Sequence, residues 1–187
     1  KGAIFKSHID GKEFKLSPEE SIRIQKGLDS DILMVMDECP KNTNDKKIIR
    51  KSMDLSMYWA SRSKIAFGKN LQKALFGIVQ GGMYQEFRHQ AIEQMIDLDL
   101  PGIASGGLSV GEPAKTMYAV AEMCHPKLPK DKPRYVMGVG TPVNLLELID
   151  RGMDMFDCVM PTRNARNGMV FTSQGLLSYK ASKFSEI

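Results

Sequence analysis

The chain has 187 residues, 42% of them hydrophobic, so residues 1–187 can form a single packed domain rather than a disordered segment. Its 26 Lys and Arg against 22 Asp and Glu give a net charge of +4, which is compatible with a polyanionic partner but does not require one. The three cysteines are scattered without a C-x-x-C pair, which disfavours a disulfide framework or a zinc site and favours a reducing, cytoplasmic compartment. No apolar run reaches the roughly 20 residues of a membrane helix, so no membrane partner is expected.

A hairpin and a helix are predicted at the start of the chain. Apolar residues in 4–5 and 14–16 flank Asp10-Gly11, a pair that fits a type I′ turn. Ser17 then predicts a helix N-cap, and Pro18 suits the first helical position.

Strand and helix patterns alternate in the middle of the chain. The apolar runs that have the length of buried strands are 32–36, 75–79, 103–104, 135–139 and 155–159. Helical periodicity occupies 46–64, 84–96, 113–124 and 142–151. This alternation predicts an α/β fold with parallel strands, either an open doubly wound sheet or a (β/α)₈ TIM barrel with about five βα units here. A second hairpin is predicted at 169–172 and 176–179.

Polar or glycine-rich residues follow each predicted strand. These are 37–39, 80–82, 105–107, 138–140 and Asp157. In either architecture the carboxyl ends of parallel strands form one face, so we expect the five clusters to converge into an active site.

Asp157 places a carboxylate at the end of an otherwise apolar strand. Buried acids are uncommon unless they are paired or functional. A carboxylate there could attack an anomeric carbon, as in retaining glycosyl transfer. The alternative is a structural acid paired with Arg163 or Arg166.

Three other strand ends suggest a site for a flat polar ligand. The Asp37 carboxylate could accept hydrogen bonds from two donors of guanine, or could cap a helix or turn. The Gln80 amide offers both a donor and an acceptor. The pairs Gly81-Gly82 and Gly106-Gly107 let a ligand approach the main chain, although such pairs also bind phosphate or simply form turns.

Residues 161–168 combine two arginines with hydroxyl and amide side chains directly after Asp157. We predict a short loop that binds phosphates and unstacked single-stranded bases. The alternative is a solvated surface loop without a ligand.

Five longer strings occur in order along the chain. They are D-E-C-P at 37–40, F-G-I-V-Q-G-G at 76–82, G-G-L-S-V-G-E-P at 106–113, K-P-R-Y-V-M-G-V-G-T-P at 132–142 and D-M-F-D-C-V-M-P-T-R-N-A-R at 154–166. Together they resemble the tRNA-guanine transglycosylases, also called queuine tRNA-ribosyltransferases, over nearly the whole chain. Cys39 and Val110 make it similar to the bacterial members, whose substrate is an aminomethyl-deazaguanine.

The resemblance implies a (β/α)₈ barrel that exchanges the wobble guanine of tRNAs with a G-U-N anticodon for a 7-deazaguanine precursor of queuosine. It implies that Asp157 is the catalytic nucleophile, which forms a covalent aspartyl-ribosyl intermediate. The matching substrate-binding residues are Asp37, Cys39, Gln80, Gly106, Gly107, Leu108 and Met137. The matching RNA-binding residues are Gly138, Val139, Gly140, Thr141, Pro142, Val143, Asn144, Thr162, Arg163, Asn164, Ala165 and Arg166.

Two features of the family are missing from this sequence. The general acid/base aspartate of the family lies in a D-S-G-G-F-Q string, and its structural zinc is held by a C-x-C-x-x-C run with a distant histidine; neither string occurs here. We therefore expect a central fragment of a longer protein that is a zinc-containing homodimer when complete. The fragment alone is expected to be inactive.

Two other functions are compatible with the residues. A phosphate-binding TIM-barrel enzyme of small-molecule metabolism would use the glycine pairs as anion sites. A non-catalytic, tRNA-binding partner subunit would retain the RNA contacts but perform no chemistry. Retention of Asp157 argues against the partner subunit.

Overall fold

The computed structural model describes residues 2–41, 43–70 and 72–179. Strands β1 (Ala3–Lys6) and β2 (Glu13–Leu16) form the predicted antiparallel hairpin. The predicted type I′ turn is wrong, because only Gly11 of its central pair has a positive φ, at 72°. A longer loop closes the hairpin instead, in which Ser7 and Lys12 are joined by a main-chain hydrogen bond of 2.9 Å.

Helix α1 (Pro18–Gly27) begins where the capping residues predict. The Ser17 hydroxyl accepts a hydrogen bond of 3.2 Å from the main-chain N–H of Glu20, and Pro18 occupies the first turn. The cap satisfies one of the N–H groups that a helix start leaves without an intrahelical partner.

The central sheet has five parallel strands, which follow one another in space in the order that they have in the chain. They are β3 (Ile32–Met34), β4 (Ala74–Val79), β5 (Gly102–Ser105), β6 (Arg134–Val136) and β7 (Met155–Phe156). A doubly wound sheet reverses its strand order at a switch point, whereas a barrel adds each strand beside the previous one. The sequential order therefore decides between the two predicted architectures, and the chain forms five consecutive βα units of a (β/α)₈ barrel.

Four helices connect these strands, close to the predicted bounds. They are α2 (Lys46–Phe67), α3 (Gln85–Asp97), α4 (Ala114–Cys124) and α5 (Pro142–Asp150). The core lies between the helices and the sheet, where Leu33, Leu75 and Ile92 are fully buried. Its apolar burial stabilises the unit by about 25 cal/mol per Å² removed from water.

The strands end earlier than the apolar runs predict. Strand β6 stops at Val136 and β7 at Phe156, although the runs continue to Val139 and Val159. The extra residues leave the sheet and enter the loops at the carboxyl ends of the strands.

Residues 161–168 differ from the predicted loop. Helix α6 spans Met160–Arg166, with Pro161 in its first turn, where a missing N–H has no cost. Strands β8 (Met169–Thr172) and β9 (Gly175–Ser178) follow as the predicted second hairpin.

Candidate active site

The loops at the carboxyl ends of the parallel strands are joined by side-chain hydrogen bonds. Gln80 Nε2 donates to Asp37 Oδ2 at 2.6 Å, which links the loops after β3 and β4. Ser109 Oγ donates to the Gly138 carbonyl at 2.9 Å, and the Gly138 N–H donates to Asp157 Oδ1 at 2.8 Å. These bonds link the loops after β5, β6 and β7, so the predicted convergence of the strand ends is confirmed.

Asp157 lies just beyond β7, and its carboxylate is exposed rather than buried. Its Oδ1 accepts two hydrogen bonds, from the Tyr135 hydroxyl at 2.6 Å and from the Gly138 N–H at 2.8 Å. No donor in the described ranges contacts its Oδ2. The predicted alternative, an ion pair with Arg163 or Arg166, is wrong, because neither arginine lies within 4.0 Å of Asp157 and its hydrogen bonds come from strand β6 and the loop after it. Two hydrogen bonds therefore hold Oδ1 of Asp157, whereas Oδ2 is free of donors from the described residues.

The Tyr135 hydroxyl remains protonated in this setting. Burial raises its pKa above the ordinary value, and its hydrogen bond to the Asp157 carboxylate raises the pKa further. Because a protonated hydroxyl can only donate to the carboxylate, Tyr135 fixes the orientation of Asp157.

Asp37 and Gln80 form a carboxylate–amide pair at the ends of β3 and β4. Gln80 is only 2% exposed, and burial raises the pKa of Asp37 against the opposing effect of the Gln80 hydrogen bond. The capping role considered for Asp37 is wrong, since Asp45 caps the helix that follows and Asp37 contacts Gln80. The pair presents acceptor and donor groups at one edge of the sheet.

Gly107 allows Gln80 to pack against the main chain after β5. A Cβ at this position would lie 2.6 Å from Gln80 Oε1, and the φ of Gly107 is +66°. Both the contact and the conformation require glycine. The main chain of Gly107 therefore lies directly beside the Gln80 amide.

A pocket opens between the loops after β3, β4 and β5. The residues that line it are Pro40, Lys41, Thr43, Ile49, Ser52, Gln80, Gly81, Gly82, Met83, Gly107, Val110 and Glu112. The Glu112 carboxylate accepts hydrogen bonds from the main-chain N–H groups of Ser109 and Val110, the latter at 2.9 Å. This carboxylate fixes the loop that forms one wall of the pocket.

Comparison with known proteins identifies the family. A sequence profile described as Queuine tRNA-ribosyltransferase matches residues 1–187. The chain belongs to this family. It is 52% identical over 186 residues to the queuine tRNA-ribosyltransferase of Lawsonia intracellularis and 50% identical over 185 residues to that of Francisella tularensis subsp. novicida. Each match covers 99% of this chain and 50% of the relative, so the chain spans about half the length of these curated relatives.

The substrate-binding residues implied by the family resemblance lie in different environments. Gln80 and Gly107 line the pocket, and Asp37 contacts Gln80 directly. Cys39 is exposed as a residue, although partial desolvation of its thiol, together with the charge of nearby Asp37, raises the pKa of the thiol. Gly106 and Leu108 are buried and Met137 is half-buried, so Leu108 packs in the core more than it faces a ligand.

The implied RNA-binding residues lie in two segments, at 138–144 and 162–166. Val139 in the first segment is only 2% exposed, so its side chain packs in the core and does not face a ligand. The side chain of Thr141 caps α5, and that of Asn144 accepts a hydrogen bond of 2.6 Å from the Tyr118 hydroxyl. Gly138, Pro142 and Val143 are exposed, whereas Gly140 is half-buried.

The second segment is helix α6 and presents two cations. Arg163 and Arg166 are exposed, as are Thr162 and Ala165, while Asn164 is half-buried. Neither arginine has an acidic partner within 4.0 Å in the part of the chain that the structure describes. The charges of both arginines are available to an anionic ligand.

Sequence reasoning missed three residues of this site: Arg88, Glu112 and Tyr135. Arg88 occupies the apolar face of α3 with Ala91, Ile92 and Met95, a helical spacing at which a charged residue is unexpected. That mismatch is a signal that the sequence carries. Glu112 binds the main chain of its own loop and Tyr135 reaches Asp157 from the neighbouring strand, and neither contact had a comparable signal in the sequence.

The zinc expected for the complete family protein has no matching ligands here. Within residues 2–41, 43–70 and 72–179, no group of three or more His, Cys, Asp or Glu side chains could hold a metal ion. None of the helices in these ranges is long and apolar enough to cross a membrane.

Proposed function

We propose that the protein carrying this chain is a tRNA-guanine transglycosylase that replaces the wobble guanine of G-U-N anticodons with a 7-deazaguanine in queuosine biosynthesis. The observation that carries this proposal is the half-held carboxylate of Asp157. It lies at the same sheet edge as the Asp37–Gln80 pair. We place the reaction in the cytoplasm, where tRNA is available, and expect a homodimer and a structural zinc in the complete protein.

Asp157 is the nucleophile in this proposal. Its free Oδ2 forms a bond to C1′ of the ribose while the bond between C1′ and guanine N9 breaks, and the electron pair leaves with guanine. The hydrogen bonds from Tyr135 and Gly138 to Oδ1 orient the attacking oxygen. The resemblance places the acid that protonates guanine in a string outside this chain, so no described residue is given that role.

The second displacement reverses the first one with a new base. The incoming deazaguanine loses its N9 proton and attacks C1′, and the aspartyl ester bond breaks to return the Asp157 carboxylate. Two inversions at C1′ preserve the anomeric configuration, as in retaining glycosyl transfer.

Asp37 and Gln80 bind the base in this proposal. An ionised Asp37 can accept hydrogen bonds from the N1–H and the exocyclic amine of guanine, and a deazaguanine presents the same donors. One Gln80 N–H already donates to Asp37, which orients the carboxylate. The other N–H of the Gln80 amide and the main chain of Gly107 remain for the rest of the purine edge.

Arg163 and Arg166 bind the phosphates of the tRNA near the anticodon. Arg163 and Arg166 lie in helix α6, which begins three residues after Asp157. Both arginines lack acidic partners among the described residues. A phosphate bound by these arginines would position the ribose of the wobble nucleotide over Asp157.

The test uses the complete gene product with an unmodified tRNA that carries a G-U-N anticodon, and labelled guanine. Incorporation of label at the wobble position is the expected result. If a well-folded protein binds the tRNA but incorporates no label, it is a non-catalytic partner subunit. If it binds a sugar phosphate and ignores tRNA, it is a metabolic enzyme.

A further inference from the structure

Arg88 is a fully buried arginine beside the candidate pocket. Its Nε donates to the Gly82 carbonyl at 2.8 Å, and its Nη1 donates to the carbonyls of Val79 at 2.9 Å and of Gly106 at 2.8 Å. It is 0% exposed and has no acidic partner within 4.0 Å in the described ranges. A buried cation without a counter-charge is costly, so its presence needs an explanation.

The three carbonyls that Arg88 binds belong to residues that are close in the chain to Gln80 and Gly107, which line the pocket. Val79 directly precedes Gln80, Gly82 follows Gln80 by two residues, and Gly106 directly precedes Gly107. One planar guanidinium thus joins the ends of β4 and β5. It sets the separation between the Gln80 amide and the Gly107 main chain.

The guanidinium is not fully paired, and its charge reaches the pocket. Arg88 Nη2 has no hydrogen-bond partner among the described residues and lies 3.7 Å from the point where a Cβ of Gly107 would stand. The cation also lowers the pKa of the Cys39 thiol, against the larger effect of burial. An arginine that served packing alone would be expected to have its donors satisfied.

A second buried arginine provides a comparison. Arg134 is 6% exposed and donates to the carbonyls of Leu128, Pro129 and Gly152. It stands at the first residue of β6, on the amino-terminal face of the sheet and away from the pocket. Arg134 therefore serves as the example of a purely structural buried arginine, with which Arg88 can be compared.

We propose that Arg88 is a positioning residue for base recognition, which acts through Gln80 and Gly107 without touching the base. The inference rests on the proposed function, since it assumes that the pocket holds a purine. The sheet still joins β4 to β5 without Arg88, since the Gly106 N–H donates to the Val79 carbonyl at 3.0 Å. Removal of Arg88 instead releases the Gly82 and Gly106 carbonyls, so that the loops after the two strands can shift relative to Gln80. Loss of one well-aligned hydrogen bond to the base would weaken its binding by about tenfold to a hundredfold.

The experiment compares Arg88→Lys and Arg88→Met with Arg134→Lys and Arg134→Met in the complete gene product. Thermal unfolding measures the stability of each variant. Labelled-guanine exchange gives kcat and the KM values for guanine and tRNA, and equilibrium dialysis with labelled guanine gives its Kd without RNA. Each value is corrected for the folded fraction.

Arg88→Met is expected to raise the KM and Kd for guanine about tenfold to a hundredfold, with the tRNA KM and kcat changed by less than about threefold. Arg88→Lys, which keeps the charge but replaces the planar guanidinium by a single ammonium group, should recover part of the loss. The Arg134 variants should lose stability without changing the guanine KM. If Arg88→Met does not fold, Arg88→Lys against Arg134→Lys decides the question.

Two results would overturn the inference, and they differ from each other. If the wild-type protein exchanges guanine and folded Arg88 variants keep its guanine KM and Kd, Arg88 is structural while the proposed function stands. If the wild-type protein neither binds nor exchanges guanine, the proposed function fails and the role of Arg88 fails with it.

Discussion

The two ends of the parallel sheet differ in how completely their polar groups are paired. At the amino end, the Arg134 guanidinium contacts His125 Nδ1 at 2.9 Å and three carbonyls, and Asp154 Oδ2 accepts the Arg134 N–H at 2.9 Å. At the carboxyl end, Asp157 keeps one oxygen free, and burial raises the pKa of Asp37. Hydrogen bonds from every guanidinium nitrogen of Arg134 stabilise the amino end, whereas the free oxygen of Asp157 and the buried carboxylate of Asp37 leave the carboxyl end ready to bind and react.

Among changes at the two ends of the sheet, replacement of the proposed nucleophile Asp157 should cause the largest loss of guanine exchange. Asp157→Asn should lower guanine exchange by at least about a thousandfold and abolish the covalent RNA adduct, because an amide oxygen is a far weaker nucleophile. Asn can still accept the hydrogen bonds from Tyr135 and Gly138, so the fold and tRNA binding should persist. Single-turnover exchange and denaturing gels of the adduct measure these effects.

Asp154→Asn is the matched control for that variant. Like Asp157→Asn, it replaces one carboxylate oxygen by an amide nitrogen, but at the amino end of the sheet. There the side chain only has to accept the hydrogen bond from the Arg134 N–H. Its exchange rate should stay within about twofold of the wild type, since a retained neutral hydrogen bond changes stability by only about 1 kcal/mol. A covalent adduct in Asp157→Asn would refute the nucleophile assignment.

Tyr135→Phe tests the orientation of the nucleophile. Loss of the 2.6 Å hydrogen bond to Asp157 should lower kcat about tenfold to a hundredfold, which corresponds to the roughly 1.5–3 kcal/mol of a bond to a charged group. The KM for guanine should change little, because Tyr135 does not line the pocket. Steady-state exchange kinetics separate kcat from KM, and an unchanged kcat would show that Gly138 alone positions Asp157.

Asp37 should make guanine binding depend on pH. The base needs the ionised carboxylate, and burial raises the Asp37 pKa above the ordinary 3.8. Guanine affinity should therefore fall as the pH is lowered, beginning above the range of an exposed aspartate. Asp37→Asn should weaken guanine binding by about tenfold and remove this dependence, as measured by dialysis across pH.

The same shift has the opposite effect on stability without ligand. Because the folded state favours the protonated Asp37 more than the unfolded state does, Asp37 destabilises the fold increasingly as the pH rises through and above 3.8. Asp37→Asn should accordingly raise the melting temperature at neutral pH. A lower melting temperature would mean that the carboxylate stabilises the fold and is not strained for binding.

The arginines of α6 give the smallest expected effect. Arg163→Ala with Arg166→Ala should weaken tRNA binding about threefold to tenfold and reduce the slope of log K against log salt by about 1.4, or roughly 0.7 for each lost phosphate contact to a single strand. Arg23→Ala with Arg151→Ala is the control, because both of these arginines already pair with glutamates. Filter binding at several salt concentrations measures both, and equal slopes would reject an RNA role for α6.

The sequence predicted the elements better than the contacts of the site. Buried parallel strands are continuous apolar runs, so all five strands and both hairpins were found. Helix α6 was missed because seven residues with one proline and one asparagine carry little helical signal, and such short helices depend on tertiary packing. The partners of Asp157 were missed because Tyr135 lies 22 residues away in the chain and becomes a neighbour only through strand pairing.

The sequential strand order also has a consequence for protein synthesis. Each of the strands β4 to β7 pairs with the strand translated just before it, and one helical connection separates the two partners. Sheets assembled from such near neighbours can form unit by unit as the nascent chain leaves the ribosome. Because Asp37, Gln80 and Gly107 all precede Asp157, the base pocket can fold before its nucleophile has been translated.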